Sequence, residues 1–122
     1  MGFERNIVVK DRDVIRGAGW TMEAIHTPGH TSHVVASGNS KVLVQGDVTA
    51  GAATLFVRNP NWQPLFDTDK PQAVETRKKL YDMAASEKMI VQGFHFPFPA
   101  VAYVEKSGSG YRLVAVPWSS SI

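Results

Sequence analysis

A chain of 122 residues with 43% apolar and 20% charged residues has the size and composition of one globular domain, long enough to bury a core. Its net charge of +2, with no basic run, gives no footing for nucleic acid or an anionic membrane, and no apolar run approaches the roughly 20 residues that span a bilayer. There are no cysteines, so disulfides and thiolate metal sites are excluded, and any metal must be held by His, Asp or Glu.

Glu4 and Asp11 fall where a signal peptide would have its apolar core; the compartment stays open, with a cytoplasmic location only the default expectation. Trp20 to Ile25 alternates apolar and polar residues, the pattern of a half-buried strand. His33 to Ser37 and Lys41 to Gln45 are β-branched runs separated by Gly38-Asn39-Ser40, a hairpin signal. Gly46-Asp47 ends the second run. Thr49 to Thr54 reads as small and irregular, and VRNPNWQPLFDTD reads as loop by its Pro and Asn content.

Asp67 or Asp69 supplies an N-cap and Pro71 suits a first turn, so Pro71 to Glu87 is expected to be helical. Val74, Leu80, Tyr81, Met83 and Ala84 mark its apolar side; Arg77, Lys78 and Lys79 mark a wet face. Met89 to Gln92 is apolar enough for a buried strand. Val101 to Lys106 and Tyr111 to Val116 flank Gly108-Ser109-Gly110, a second hairpin. The expected order is β-β-β-α-β-β-β, an α+β fold with a mixed sheet and one main helix on one face. The other face of so apolar a sheet must be buried against something.

The chemistry concentrates in AIHTPGHTSHVV, residues 24 to 35. His26, His30 and His33 stand at i, i+4 and i+7, which on a helix would be one face, but Pro28-Gly29 interrupts it and sets a helical zinc pair aside. A solvated loop with incidental histidines stays open on composition alone. Two other strand ends also carry a donor: Asp47 after KVLVQG, and His95 after MIVQGF. Two imidazoles and a carboxylate suit zinc, manganese or iron.

IHTPGHTSHVV, VLVQGD, DTDKPQAVETRKKLYDMA, VQGFHFPFP and GYRLVAVPW, in this order and spacing, resemble the metallo-β-lactamase-fold hydrolases. The likeness is to the methyl parathion hydrolase-like branch of esterases and lactonases, and runs from RNIVVKDRD to Trp118. The resemblance implies metal ligation by His26, Asp47 and His95, with Asp47 as the bridging, catalytic carboxylate. It implies zinc, one or two ions in the complete fold. His30 then braces the loop and His33 is scaffold; a competing register makes His30 the ligand through TPGHT.

The HxHxDH motif of that family is absent, so the chain is expected to be the C-terminal half of an αββα sandwich and to form a single domain over residues 1–122. Two functions follow from the resemblance. One is a metal-dependent hydrolase of an ester, lactone or phosphotriester, working through a metal-activated water and incomplete as this chain. The other is a non-catalytic half-domain that homodimerises through its exposed sheet. The expected partners are a small ester-like substrate and either a second copy or the N-terminal half. Phe94, Phe96, Phe98, Phe56 and Trp62 are candidates for an apolar substrate wall, with core packing as the alternative.

Overall fold

The computed structural model describes residues 9–27, 30–49, 53–65 and 67–117, with the backbone path alone at His30 and Thr31. The Pro28-Gly29 break, the N-terminal stretch through Val8 and the tail from Trp118 lie outside the described residues. Seven strands form one sheet in chain order: β1 (Val14–Gly17), β2 (Trp20–Thr27), β3 (His30–Ser37), β4 (Ser40–Val44), β5 (Ile90–Gln92), β6 (Val101–Ser107) and β7 (Gly110–Ala115). Every neighbouring pair is antiparallel except β4 and β5, which run parallel. The link between those two is the long one and carries helices α1 (Ala53–Arg58) and α2 (Lys70–Ser86), as a parallel connection requires.

The tight turns follow local chemistry. Gly38 and Gly108 hold φ of 57° and 59° in the β3–β4 and β6–β7 hairpins, a region open to glycine at little cost. α2 starts where Asp69 accepts a hydrogen bond from the Gln72 amide (3.1 Å), with Pro71 in the first turn. The expected sheet and main helix are therefore present, with three corrections. β1 was not expected, because VIRG is four residues long and carries little alternation. α1 was read as irregular sequence and loop; it is a six-residue helix held by Ala53 and Val57 against the core. The presumed histidine loop is mostly strand: His26 lies in β2 and His30 in β3, which reaches back from the run expected to begin at His33.

The two faces of the sheet differ. Ile25, Val34, Leu43, Val91, Ala102, Val104 and Tyr111 point towards the helices and form one core with Val57, Leu80, Tyr81 and Ala84. The opposite face carries a row that crosses all seven strands in register: Ile15, Met22, Val35, Val42, Ile90, Tyr103 and Val114. Each is half-buried and none belongs to the core cluster. Among the described residues no helix packs on this face, so its apolar row keeps water contact that a second layer would remove.

Arg77 corrects the reading of α2. It is not on the wet face; it is 2% exposed. Its position explains this, three residues after Val74 and four before Tyr81, inside the apolar stripe. Nε donates to the Val48 carbonyl (3.2 Å), and one terminal nitrogen donates to those of Pro60 (2.8 Å) and Trp62 (2.9 Å). The guanidinium also lies over the Phe56 ring, 5.3 Å from its centroid. Burial lowers its pKa, opposed by Tyr81 and Asp67.

Candidate functional site

One register row places the chemistry. Ala24, His33, Val44, Gln92 and Val101 pair successively across β2 to β6. Because β2, β4 and β5 run the same way, their C-terminal ends share one rim of the sheet. Asp47 lies three residues beyond Val44 and His95 three beyond Gln92, on adjacent strands. Their side chains meet, with His95 Nε2 3.3 Å from Asp47 Oδ1, and both are about half accessible at 41% and 43%.

His26 reaches the same rim two residues beyond Ala24, on β2. It is two strands from β4, about 10 Å at the usual spacing of neighbouring strands. It is exposed, and its backbone amide donates to Asp11 Oδ1 (2.8 Å). Among the described residues no three His, Asp or Glu side chains gather around one point, so His26 does not join the pair in a three-donor cluster. The backbone of His30 lies on β3, beside β4, three residues towards the same rim from His33. His33 sits in the row itself and is half-buried.

A catalytic zinc takes three protein ligands and an open position, and a dinuclear centre takes more. Asp47 and His95 are donors of the right chemistry, but they make only part of such a set. The described residues do not by themselves fit a complete metal centre.

The ground beneath the pair is well defined. Gly46 has φ of 60°, so the chain reverses sharply after β4 and lifts Asp47 to the surface. Gln45 and Thr49, on either side of Asp47, are buried at 0% and 1%. Both reach the hydroxyl of Tyr81 on α2, also fully buried. Tyr81 donates to Gln45 Oε1 (2.9 Å), and Gln45 Nε2 donates to Thr49 Oγ1 (2.9 Å). The Tyr81 hydroxyl also lies 3.3 Å from Thr49 Oγ1, so its single proton faces two acceptors, with Gln45 the nearer. Burial pushes the Tyr81 pKa up to about 12, so the hydroxyl remains a donor at neutral pH.

The loop that carries His95 is closed by its own backbone bonds: Gly93 N–H to Ala100 O (3.0 Å), Phe96 N–H to Gly93 O (3.1 Å) and Ala100 N–H to Pro97 O (2.8 Å). Of the aromatic candidates, Phe96 is core, 7% exposed, and anchors this loop. Phe56 is half-buried and packs edge-on against Trp62, their centroids 6.2 Å apart. Phe94 and Phe98 are exposed, at 70% and 92%, and flank His95 in sequence. The sequence reading missed Gln45, Thr49 and Tyr81. Their signal was a polar residue wherever a buried position was expected: Gln45 at the end of an apolar run, and a tyrosine on the helix's apolar side.

Comparison with protein-family models and with curated proteins gave no match. Solved structures do match. One is AidC, a dizinc quorum-quenching lactonase in complex with a product, N-hexnoyl-L-homoserine, with a TM-score of 0.73 and 20% identity over 97% of this chain. Another is the hydrolase AbOPH of the beta lactamase superfamily, with a TM-score of 0.68 and 25% identity over 94% of this chain. This chain spans 38% of the length of each. Its seven-stranded mixed sheet and main helix thus form part of a metallo-β-lactamase-like fold.

Proposed function

We propose that this chain supplies part of the active centre of a metallo-β-lactamase-fold hydrolase acting on an ester, lactone or phosphotriester. The observation that carries the reading is the meeting of Asp47 and His95 at the shared rim of β4 and β5, on this fold. The resemblance gives Asp47 the bridging role and His95 a terminal one. A third donor comes from His26 or His30. The resemblance favours His26, on β2 two strands from β4, and the competing register is His30, whose backbone is on β3 beside β4. Zinc is the metal in the AidC structure and the one proposed here. Zinc held there would supply Lewis acidity for a substrate oxygen and for a bound water.

Within this chain, Asp47 and His95 would hold their side of the centre, with further donors coming from outside the described residues. Phe94 and Phe98 would offer apolar surface beside it. The test is zinc content and ester, lactone and phosphotriester hydrolysis for the chain and for Asp47→Asn, His95→Ala, His26→Ala and His30→Ala. Loss of zinc in the first two variants and in one of the last two is expected. Wild-type zinc content in both Asp47→Asn and His95→Ala would overturn the assignment.

A second reading rests on the uncovered apolar row of the sheet: a half-domain that pairs face to face with a second copy, with at most residual metal binding. Seven strands at about 4.8 Å spacing give a face roughly 30 Å wide. Two such faces would bury on the order of 1,000 Å², the threshold for a biological interface and the size of a weak, reversible one. A mass in solution of twice 13.4 kDa supports it. A monomer at micromolar concentration with no dye binding excludes it.

A further inference from the structure

Asp47 itself is half exposed, yet the residues around it in the turn are fixed from below. Gln45 and Thr49, two residues to either side, are tied to one another and to the Tyr81 hydroxyl in a closed ring of three side chains. Val48, next to Asp47, gives its carbonyl to Arg77 one helical turn earlier on α2. The buried main-chain oxygen of Gln45 accepts from Ser32 on β3 (3.0 Å), and its amide donates to Gln92 O (3.0 Å) at the end of β5. Gln45 also packs against the start of the His95 loop, where a Cβ on Gly93 would lie 2.8 Å from Gln45 Nε2. One side chain thus touches the footing of both rim residues.

A packed core does not need this arrangement. Apolar residues of similar volume at 45, 49 and 81 would bury as well, with no polar groups to satisfy. What the ring adds is direction. It clamps the two ends of a reversal whose middle carries Asp47, so the backbone that carries the carboxylate cannot shift without opening hydrogen bonds in a dry interior.

We propose that Tyr81 is a positioning residue: its hydroxyl, closed into a ring with Gln45 and Thr49, fixes the 45–49 turn and so holds Asp47 against His95. The consequence for cation binding rests on the reading of Asp47 and His95 as metal ligands; the geometric claim does not.

The test compares the full chain with Tyr81→Phe, Thr49→Ser, Thr49→Val and Leu80→Ala. Tyr81→Phe keeps the ring and its edge contact with Tyr111 and removes only the hydroxyl. Leu80→Ala removes buried apolar packing from the same helix and leaves the three hydroxyl and amide groups of the ring in place. The first readout, in metal-free protein, is the nuclear Overhauser cross-peak between the Asp47 β-protons and the His95 ring. It should be lost in Tyr81→Phe and Thr49→Val, and kept in Thr49→Ser and in Leu80→Ala. The second is zinc affinity by competitive titration, which should fall about 10- to 100-fold in the first two variants and stay unchanged in the other two. An intact cross-peak in a folded Tyr81→Phe overturns the proposal, as does its equal loss in Leu80→Ala. If Tyr81→Phe does not fold, Thr49→Val set against Thr49→Ser decides in the same way. Loss of the cross-peak in a protein whose wild type takes up no zinc would uphold the positioning role and reject the metal reading.

Discussion

Gly93 lies so near Gln45 that the smallest side chain at 93 would press on its amide. A Cβ there would be 2.8 Å from Gln45 Nε2 and 2.8 Å from the Phe96 ring, both buried. Gly93→Ala must therefore displace both of these well-held groups. The expected cost is about 1–3 kcal/mol, the usual range for overpacking, read from urea midpoints at constant slope. A change below a few tenths would mean that the interior there has slack.

Arg77 carries a buried charge balanced by carbonyl dipoles and an aromatic ring. Arg77→Ala would strand the carbonyls of Val48, Pro60 and Trp62, and roughly 3 kcal/mol should be lost. Arg77→Lys should recover only part of this, since a lysine lacks the planar fork that spans separate acceptors. Thermal unfolding of both variants checks the order; equal stability of Lys and wild type would refute it.

Asp82 gives a pH signature. The Tyr111 hydroxyl donates to its Oδ1 (2.7 Å) and the Lys106 ammonium lies 3.0 Å from the same atom. Both hold the carboxyl below its ordinary 3.8, the Tyr111 bond more strongly. Folding thus favours the ionised form, so the contribution is full above about pH 4–5 and fades as pH falls through the lowered value. Because the carboxylate is half exposed, solvent screening keeps its contribution to roughly a few tenths of a kcal/mol. Asp82→Asn should be slightly less stable than wild type at pH 7, with the gap closing in acid. A gap that widened on acidification would contradict the sign.

The apolar row of the open sheet face makes a separate prediction. Val42 is its central residue and pairs with Ile90 across the parallel junction. Val42→Lys adds charge where no helix packs among the described residues, so the fold should lose little stability. Any face-to-face association and any binding of an apolar dye should drop. Sedimentation of the two proteins at matched concentration checks this, and unchanged association would remove the face from consideration.

Much of the fold was legible where local chemistry is strict. Gly38-Asn39 and Gly108-Ser109 announce hairpins because few other residues take their backbone angles. Asp69 and Pro71 announce the start of α2. α1 had no such marks, and its six residues carry too little periodicity to stand out from loop. Arg77 was misjudged because its charge outweighed its position in the stripe. For the site, Asp47 and His95 were visible because each follows an apolar run closed by a glycine, directly at Gly46-Asp47 and one residue later at Gly93-Phe94-His95. The standing of His26 was not, because it depends on which strand lies between β2 and β4, and strand order is a long-range property.

The single parallel junction also governs when the rim pair can exist. β1 to β4 and β5 to β7 are two meanders whose contacts are near neighbours along the chain, and such contacts close early. Asp47 belongs to one meander and His95 to the other, and they face each other only after the long excursion through α1 and α2 has docked. A collapsed intermediate with both ribbons in place would have no paired rim. Its appearance would time the last step of assembly.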